Sequence, residues 1–404
     1  AAEGLLETRR GAGTFIASEA QRFRELATAT TPLSALAIAP QETPDADSAT
    51  APIDFRPCRP STAAFPLNVW QRCLSSAGRR SLAADYGDAR GEASLRQVIL
   101  DYLRRTRGLA ASLDNILISN GSVHAMQLAA ACFLEPKQPV YFENPGYPLA
   151  RQSFASVGGR IVPVAVDDDG LMVHRLPRRS ARGLVYVTPS HQFPTGGRLA
   201  LGRRHDLLDW AIRQGALIVE DDYAGEFRFD VAPLAPLAAL APSHVLYCGT
   251  FSKTLFPGLR LGFAVGPSTL INAMAKRRAV TEYAPSAPTQ LALTEFIDAG
   301  HFERHVHRMR RRYRKKRAQL CEALAQHADR ARVHGIDSGL HAFVRLRQGQ
   351  GAAELSRRGA TKGVAAPPIG RYDVFPEPRD DGLILGYAAP ESEQIAAGVA
   401  ALLA

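Results

Sequence analysis

Short apolar runs recur between residues 115 and 265, and stretches with helical periodicity lie between several of them. Continuous apolar runs of this length are typical of strands buried on both faces of a sheet. Their alternation with helices predicts an α/β fold, in which a large mixed or parallel sheet is covered by helices on both faces. The predicted strands are 115–119, 139–142, 160–166, 183–188, 216–219, 244–248 and 261–265.

Helical periodicity identifies the helices between and after these strands. Apolar residues repeat at helical spacing in residues 93–105, 123–134, 202–214 and 300–330. The tail at 331–404 mixes strand and helix patterns and predicts a smaller α+β domain. We therefore divide the globular part into a large domain with an N-terminal arm, residues 51–290, and a small C-terminal domain, residues 291–404.

The first fifty residues differ in composition from the rest. Residues 1–17 hold two short strand-like runs around a basic turn that contains glycine, which predicts a β-hairpin. Residues 18–50 are rich in alanine, threonine, proline and serine, as is typical of a linker. Because the first methionine is Met126, we expect the sequence to be a piece of a longer protein or a processed product.

Charge and cysteine usage limit the class of protein. The net charge is +10, carried by 43 arginines and 6 lysines, which suits a polyanion such as DNA or ligands that carry phosphate. Five scattered cysteines without a Cys-x-x-Cys motif predict neither a disulfide framework nor a metal site. No long uncharged apolar run and no secretory signal are present, so we expect a cytoplasmic protein without a membrane span.

Lys253 follows the predicted strand at 244–248, in a loop with small hydroxyl residues. A lysine forms a Schiff base with an aldehyde, which an arginine does not. The hydroxyls of Thr250 and Ser252 and the guanidinium of Arg260 are suited to hold a phosphate. Together these groups are the parts that anchor pyridoxal phosphate (PLP). A solvated lysine in an ordinary turn is the alternative interpretation.

Two further turns carry groups that would complete such a site. Ser122 and Val123 begin the helix after the strand at 115–119, where backbone N–H groups bind anions. Simple helix capping by Ser122 is the alternative. Tyr147 lies in a Pro-Gly turn and would present its ring for stacking on a heteroaromatic ring. A turn tyrosine also often serves packing alone.

Two more strand ends supply polar groups. His191 and Gln192, after the strand at 183–188, would reach the oxygen of the cofactor ring or a substrate, with a structural role as the alternative for His191. The strand at 216–219 runs into three carboxylates and Tyr223. A carboxylate near a pyridine nitrogen keeps it protonated and strengthens the ring as an electron sink, and Tyr223 would bind the phenolic oxygen. An acidic loop or a Mg²⁺ site is the alternative.

Taken in order, these motifs resemble those of fold type I PLP-dependent aminotransferases, from residue 53 to the end. The loop 188–196, Thr-Pro-Ser-His-Gln-Phe-Pro-Thr-Gly, the run Glu-Asp-Asp-Tyr at 220–223 and the basic segment 300–313 more narrowly resemble the MocR subfamily of GntR-type bacterial transcription regulators. The resemblance implies a winged helix-turn-helix DNA-binding domain joined by a linker to an aminotransferase-like domain. Residues 1–17 resemble the end of that winged helix domain.

The resemblance also implies roles for single residues. Lys253 would carry the aldimine with PLP, and Asp221 would pair with the pyridine nitrogen, with Asp222 as the alternative. Tyr223 would contact the phenolic oxygen, and Tyr147 would stack on the ring. The phosphate would be held by the following residues, the last of them reaching across a homodimer interface: Ser122, Val123, Thr250, Ser252, Arg260 and Tyr86.

The sequence departs from ordinary aminotransferases where these use an arginine to bind the substrate carboxylate. The stretch 380–387 holds no arginine, although Arg371 and Arg379 are near, and Cys58 and Ser61 stand where the family often has glycine and aspartate. A guanidinium is the natural partner of a carboxylate. We therefore expect an effector-sensing domain of a regulator, which responds to an amino compound or to PLP itself. A working aminotransferase is the alternative.

Nine basic residues lie between positions 304 and 317 of the long predicted helix. Such a cluster suits contact with DNA phosphates, and its binding would then weaken with salt. A helix face that is simply solvated is the alternative interpretation.

Overall fold

The computed structural model describes residues 6–16, 51–80, 85–179, 182–229, 234–347, 351–375 and 381–403. The chain divides into two units, Ala1–Glu42 and Thr43–Ala404. In the first unit, strands β1 (Leu6–Arg9) and β2 (Gly13–Ile16) pair as an antiparallel hairpin. The predicted linker at 18–50 lies outside the described residues.

The second unit alternates strands and helices along most of its length. Its strands are β3 (Ile53–Asp54), β4 (Ile116–Ser119), β5 (Pro139–Asn144), β6 (Arg160–Asp167), β7 (Gly170–Leu171), β8 (Leu184–Val187), β9 (Leu217–Asp222), β10 (Val245–Thr250), β11 (Gly262–Val265), β12 (Ala331–His334), β13 (His341–Leu346), β14 (Val364–Ala365) and β15 (Gly382–Gly386). Its helices are α1 (Leu67–Arg80), α2 (Ala93–Arg107), α3 (Ser122–Phe133), α4 (Pro148–Ala155), α5 (Leu201–Gln214), α6 (Leu237–Leu240), α7 (Ser268–Ala279), α8 (Ala287–Asp298), α9 (His301–Ala325), α10 (Ala352–Thr361) and α11 (Ser392–Leu403). Each of the predicted strands is present, with small differences at the ends.

One sheet of eight strands, in the order β4-β11-β10-β9-β8-β5-β6-β7, forms the centre of this unit. The neighbours β10, β9, β8, β5 and β6 run parallel, whereas β11 is antiparallel to both β10 and β4. Side chains alternate between two cores: Ile218 packs with residues of α2 and α5, and Val219 with residues of α3 and α4. The predicted fold class, a large mixed sheet with helices on both faces, is therefore confirmed.

A smaller antiparallel sheet, β12-β13-β15, follows the long helix α9. The arm that precedes α1 returns to this region, because β3 pairs in parallel with β14. Helix α9 ends at Ala325, five residues before the predicted end at 330, since the chain must turn there to begin β12 at Ala331. No helix in the described ranges is long and apolar enough to cross a bilayer.

The basic residues of α9 mainly bind backbone carbonyls of other segments. Arg310 donates to the carbonyl of Glu226 at 2.7 Å, and Arg314 donates to that of Phe229 at 3.0 Å. Buried Lys316 donates to the carbonyl of Ala388 at 3.0 Å. These side chains hold irregular segments against the helix, while Arg311 and Lys315 of the same cluster are exposed. The other such donors are Arg308, to Ala64, and Arg317, to Ile336.

Arg204 of α5 uses its guanidinium in the same way, beneath the loop that carries His191. Its nitrogens donate to the carbonyls of Pro189, Leu199 and Ala235, each at 2.9 Å, and its side chain is fully buried. Burial lowers its pKa, which Glu220 partly offsets. A single side chain therefore fixes both ends of the loop.

We predict that Arg204→Met lowers the free energy of unfolding by about 3 kcal/mol, because three buried carbonyls lose their donors. Urea unfolding followed by circular dichroism measures the change. Arg213→Met, on the exposed side of the same helix, is the matched control and should stay within about 0.5 kcal/mol of the wild type. Equal stabilities of the two variants would contradict the role given to Arg204.

Candidate functional site

The predicted site residues lie at one edge of the central sheet. Asp221 is near the end of β9, and Lys253 follows β10, its parallel neighbour. Tyr147 follows β5 and His191 follows β8, which are also parallel strands of the same sheet. Because the carboxyl ends of parallel strands meet at the same edge, the fold brings together groups that are far apart in sequence.

Strand register brings the proposed phosphate donors together. Thr250 of β10 lies opposite Gly262 of β11, which in turn lies opposite Ser119 of β4. A Cβ at Gly262 would lie 2.8 Å from the backbone of both Gly121 and Gly249, so the loops approach this closely only over a glycine. The start of α3, with Ser122 and Val123, therefore faces the loop after β10.

The cradle formed by these loops is rich in donors. Thr250 Oγ1 lies 3.0 Å from Ser252 Oγ and accepts the backbone N–H of Ser252 at 3.2 Å. Arg260 donates to the carbonyl of Asn120 at 2.9 Å, and its guanidinium would lie 3.5 Å from a Cβ at Gly121. Gly121 adopts a φ of +89°, which favours glycine. Two hydroxyls, a guanidinium and the N-terminus of α3 thus suit a phosphate.

Asp221 is buried with one oxygen left for a further partner. Its Oδ2 accepts the hydroxyl of Tyr186 at 2.9 Å, whereas Oδ1 has no hydrogen-bond partner in the described part of the chain. Burial raises the pKa of Asp221 to about 7; the Tyr186 hydrogen bond and Lys253 oppose this, and Asp222 adds to it. A protonated pyridine nitrogen would supply the missing hydrogen bond and a compensating charge. The residues therefore fit PLP.

Asp222 points to the opposite face of the sheet. Its Oδ2 accepts Arg107 Nε at 3.1 Å and the hydroxyl of Tyr247 at 2.6 Å. Burial acts to raise the pKa of Asp222, but Arg107 and Arg228 outweigh it and hold that pKa below its usual value. Of the two carboxylates that the sequence left open for the pyridine nitrogen, the geometry favours Asp221.

Gln192, predicted as a contact of the cofactor or a substrate, hydrogen-bonds to its own loop, to Glu143 of β5 and to Pro145 in the turn after β5. Its amide nitrogen donates to the carbonyls of Pro145 and Phe193 at 2.9 and 2.7 Å and lies 3.2 Å from Glu143. Its oxygen accepts both the backbone N–H and the hydroxyl of Thr195. A fully buried amide with these partners has no group left for a cofactor or a substrate.

Tyr223 and His191 contact each other at the edge of the site. The Tyr223 hydroxyl donates to the carbonyl of His191 at 3.0 Å, so its hydrogen points to that carbonyl. The His191 ring is buried, and its Nδ1 lies 3.2 Å from Ser338 Oγ. Burial lowers the pKa of His191 to about 4, so the ring is neutral. Both residues stay candidates for contact with a ligand.

The two remaining tyrosines lie in different surroundings. The Tyr147 ring is half-buried and packs edge-on against Phe193, with ring centroids 5.4 Å apart. Tyr86 is 83% exposed and contacts the ring of Tyr283 at a centroid distance of 5.3 Å. Tyr86 and Val280, 84% exposed, are two large hydrophobic side chains left open on this surface.

The sequence did not indicate Tyr186 as the partner of Asp221. Only the pairing of strands β8 and β9 brings the two residues together, and no motif around Tyr186 marks it. The sequence analysis recognised Cys58 as a departure from the family pattern but gave it no role. Cys58 has a φ of 63°, the left-handed region in which glycine is favoured. Burial raises the pKa of its thiol to about 11, with Lys253 and Asp221 close enough to act on it. Cys58 therefore belongs to the wall of the site.

The stretch that lacks the carboxylate-binding arginine forms part of the same wall. Ile384 is fully buried and packs with Tyr223, Phe193 and Tyr372. Arg371 is exposed on the short helix before this stretch, and Arg379 lies outside the described residues. An apolar side chain thus lies beside Tyr223, in the stretch where ordinary aminotransferases have the arginine that binds the substrate carboxylate.

Comparison with known proteins gives consistent relatives. A family model described as aminotransferase class I and II matches residues 59–402. The chain is 34% identical over 410 residues to the probable rhizopine catabolism regulatory protein MocR of Rhizobium meliloti, covering 99% of this chain and 83% of that protein. It is 34% identical over 357 residues to the HTH-type transcriptional regulator YdeL of Bacillus subtilis, covering 87% of this chain and 76% of that protein. The structure of the Pyrococcus horikoshii kynurenine aminotransferase in complex with PMP matches with a TM-score of 0.80 and 26% identity, over 96% of this chain and 97% of that one.

The raised pKa of Asp221 predicts that this residue lowers the free energy of unfolding of the cofactor-free chain by an amount that depends on pH. Between about pH 4 and pH 7 the folded chain holds a proton that the unfolded chain has lost, so this residue destabilises the fold increasingly as the pH rises. We predict that Asp221→Asn, which can still accept from Tyr186, becomes more stable than the wild type by about 2–4 kcal/mol at neutral pH, with a smaller gain near pH 4. Urea unfolding at several pH values measures the difference.

Asp206→Asn, at an exposed position of α5, is the control for this series. Glu143 and Glu220, whose pKa values burial raises to about 7, titrate in all three proteins; because Asp221 adds to the raised pKa of Glu143, the difference between the variants reports Asp221 together with its effect on Glu143. A stability gain for Asp221→Asn that is independent of pH would show that the carboxyl does not titrate in this range.

Proposed function

The chain belongs to the aminotransferase class I and II family and, within it, to the MocR-type transcription regulators; from this premise we propose that it is the PLP-binding, effector-sensing part of a bacterial transcription regulator. The observation that carries the proposal is the buried carboxylate of Asp221. One of its oxygens has no partner in the described part of the chain, and it lies close enough to Lys253 for the two charges to act on each other.

Each part of the proposed site has a distinct task. The start of α3, Thr250, Ser252 and Arg260 would hold the phosphate. Asp221 would hold the proton on the pyridine nitrogen, and Tyr186 would keep the carboxylate oriented toward it. The Lys253 amine would hold PLP through its aldehyde and would be released as a free amine when the amine of an effector takes its place. PLP supplies an electrophilic carbon and, when its nitrogen is protonated, an electron sink.

We further propose a homodimer that acts on DNA in the cytoplasm. The exposed ring of Tyr86, in contact with Tyr283, supports a subunit interface, and Glu282 beside Tyr283 accepts from Asn120 of the phosphate cradle. DNA contact is assigned to a winged helix domain, in which the hairpin β1–β2 would be the wing. The basic helix α9 is not needed for it, because most of its cations bind carbonyls of the same chain.

A working aminotransferase is the second candidate function. Lys253 and Asp221, the groups that such an enzyme needs for proton transfer and for the electron sink, lie close together here. Against it stands the wall beside Tyr223, which holds Ile384 where ordinary aminotransferases have an arginine for the substrate carboxylate. The regulator is therefore the function that the geometry supports best.

We predict that Lys253 is the residue to which PLP becomes attached. Borohydride reduction of the PLP-loaded chain, followed by proteolysis and mass spectrometry, should locate the phosphopyridoxyl group on the peptide that contains Lys253. Lys253→Ala should lose the modification, whereas Lys276→Ala, at an exposed position of α7, should keep it. A modified peptide in the Lys253→Ala chain would refute the assignment.

A panel of primary amines and amino acids separates the two functions. We predict that amines change the visible absorbance of the bound cofactor without converting it to the pyridoxamine form. Release of a carbonyl product, together with recovery of the original spectrum on addition of a keto acid, would instead establish the aminotransferase.

A further inference from the structure

Strands β13 and β15 divide their side chains between two cores. His341 lies opposite Gly386, and Phe343 lies opposite Ile384. Phe343 and Ile384 pack with Tyr223 at the edge of the site. Because side chains alternate along paired strands, His341 is on this same face. The opposite face, which packs into the core of the small sheet, consists of Ala342, Val344, Leu383 and Leu385.

His341 is fully buried, and neither ring nitrogen makes a hydrogen bond of good geometry within the described residues, although the carbonyl of Pro194 is near enough to act on the ring. The rings of His191, Phe193 and Tyr223 surround it, at centroid distances of 4.8, 5.5 and 6.4 Å. A buried polar group without a partner costs about 1–3 kcal/mol. A buried ring whose described polar contacts amount to one backbone carbonyl, beside the proposed cofactor site, therefore points to a polar ligand that would complete its hydrogen bonds.

The charge state of His341 and of its neighbours indicates whether a hydroxyl or a carboxylate of the ligand would fit beside it. Burial lowers the pKa of His341 well below its usual value; His191 and Lys253 add to this, while the Pro194 carbonyl opposes it. The neutral ring has one N–H, which suits the Pro194 carbonyl, and one nitrogen that only accepts, so the ligand group that would pair with it is a donor such as a hydroxyl. Within the described residues, the charged side chains that act on His341 and Cys58 are Lys253 and Asp221, and no arginine is among them. A buried carboxylate would lack a dedicated counter-charge here.

Resting on the proposed function, we propose that His341 recognises the effector, and that the effector is a primary amine that carries a hydroxyl group in place of an α-carboxylate. Its nitrogen would react at the cofactor on Lys253. Its hydroxyl would pair with His341, and its carbon frame would pack on Ile384 and Phe343. His191 has a supporting role: its ring packs so closely on Gly339 that a Cβ there would lie 2.2 Å from Nε2.

Two matched pairs of compounds test the class of ligand on the PLP-loaded full chain. L-alaninol and L-alanine, and L-phenylalaninol and L-phenylalanine, differ only in a hydroxymethyl group against a carboxylate. Affinity is measured by the change in cofactor absorbance and independently by isothermal titration calorimetry. We predict that the amino alcohol binds at least tenfold more tightly in one pair or both. If neither amino alcohol binds more tightly than its amino acid, the inference is wrong.

Variants of His341 test the contact itself. His341→Leu should weaken binding of the amino alcohol about fivefold, the loss of one hydrogen bond, and leave the amino acid and the PLP content unchanged. His341→Gln, which keeps a donor and an acceptor, should restore most of the affinity. His307→Leu, on an exposed face of α9, is the control and should bind like the wild type.

The outcomes separate this inference from the proposed function. Equal binding of both compounds by wild type and His341→Leu would overturn the role of His341 while leaving the PLP site intact. A wild-type chain that shows no bound-cofactor absorbance before any amine is added would overturn both. Should His341→Leu not fold, the wild-type comparison and His341→Gln still decide the question.

Discussion

The alternation of side chains at the end of strand β9 is the constraint on which the site depends. Asp221 and Asp222 are neighbours in sequence, yet they serve opposite faces of the sheet. Asp222 is neutralised by Arg107 and tied to Tyr247, which anchors β9 to α2 and β10. Two adjacent buried carboxylates are tolerable only because one is paired with a guanidinium and the other is partly protonated. Asp221 therefore retains an oxygen with which a ligand could hydrogen-bond.

The layout of the fold and most of the site could be predicted from the sequence, because both rest on short-range patterns. Apolar runs identify the strands, and polar residues just after them identify the edge at which ligands collect. The choice between Asp221 and Asp222 could not be made, since a motif does not state which face a residue takes. The hydrogen bonds of Gln192 could not be predicted for a related reason: Glu143 lies in β5 and Pro145 in the turn after it, far from Gln192 in sequence.

Several arginines of this basic chain hold backbone carbonyls, a role that a count of charges does not reveal. Arginine has five N–H donors in a fixed arrangement, which suits it to several carbonyls at once. Arg204, Arg310 and Arg314 use this to secure carbonyls in segments that no strand or helix pairs. These arginines contribute to the net charge but serve the fold, so net charge alone is a poor guide to where DNA binds.

His341 escaped the sequence analysis because a single histidine in an apolar strand of the tail has no motif around it. Its position nevertheless follows from register once β13 and β15 are paired. The site is then bounded by Lys253 on the large sheet and by His341 on the small one. A ligand that contacts both stabilises the arrangement in which the two sheets face each other across the site, relative to any in which β13 has moved away. Binding of such an effector would thus change the relative populations of these arrangements, which is the kind of change that a regulator needs.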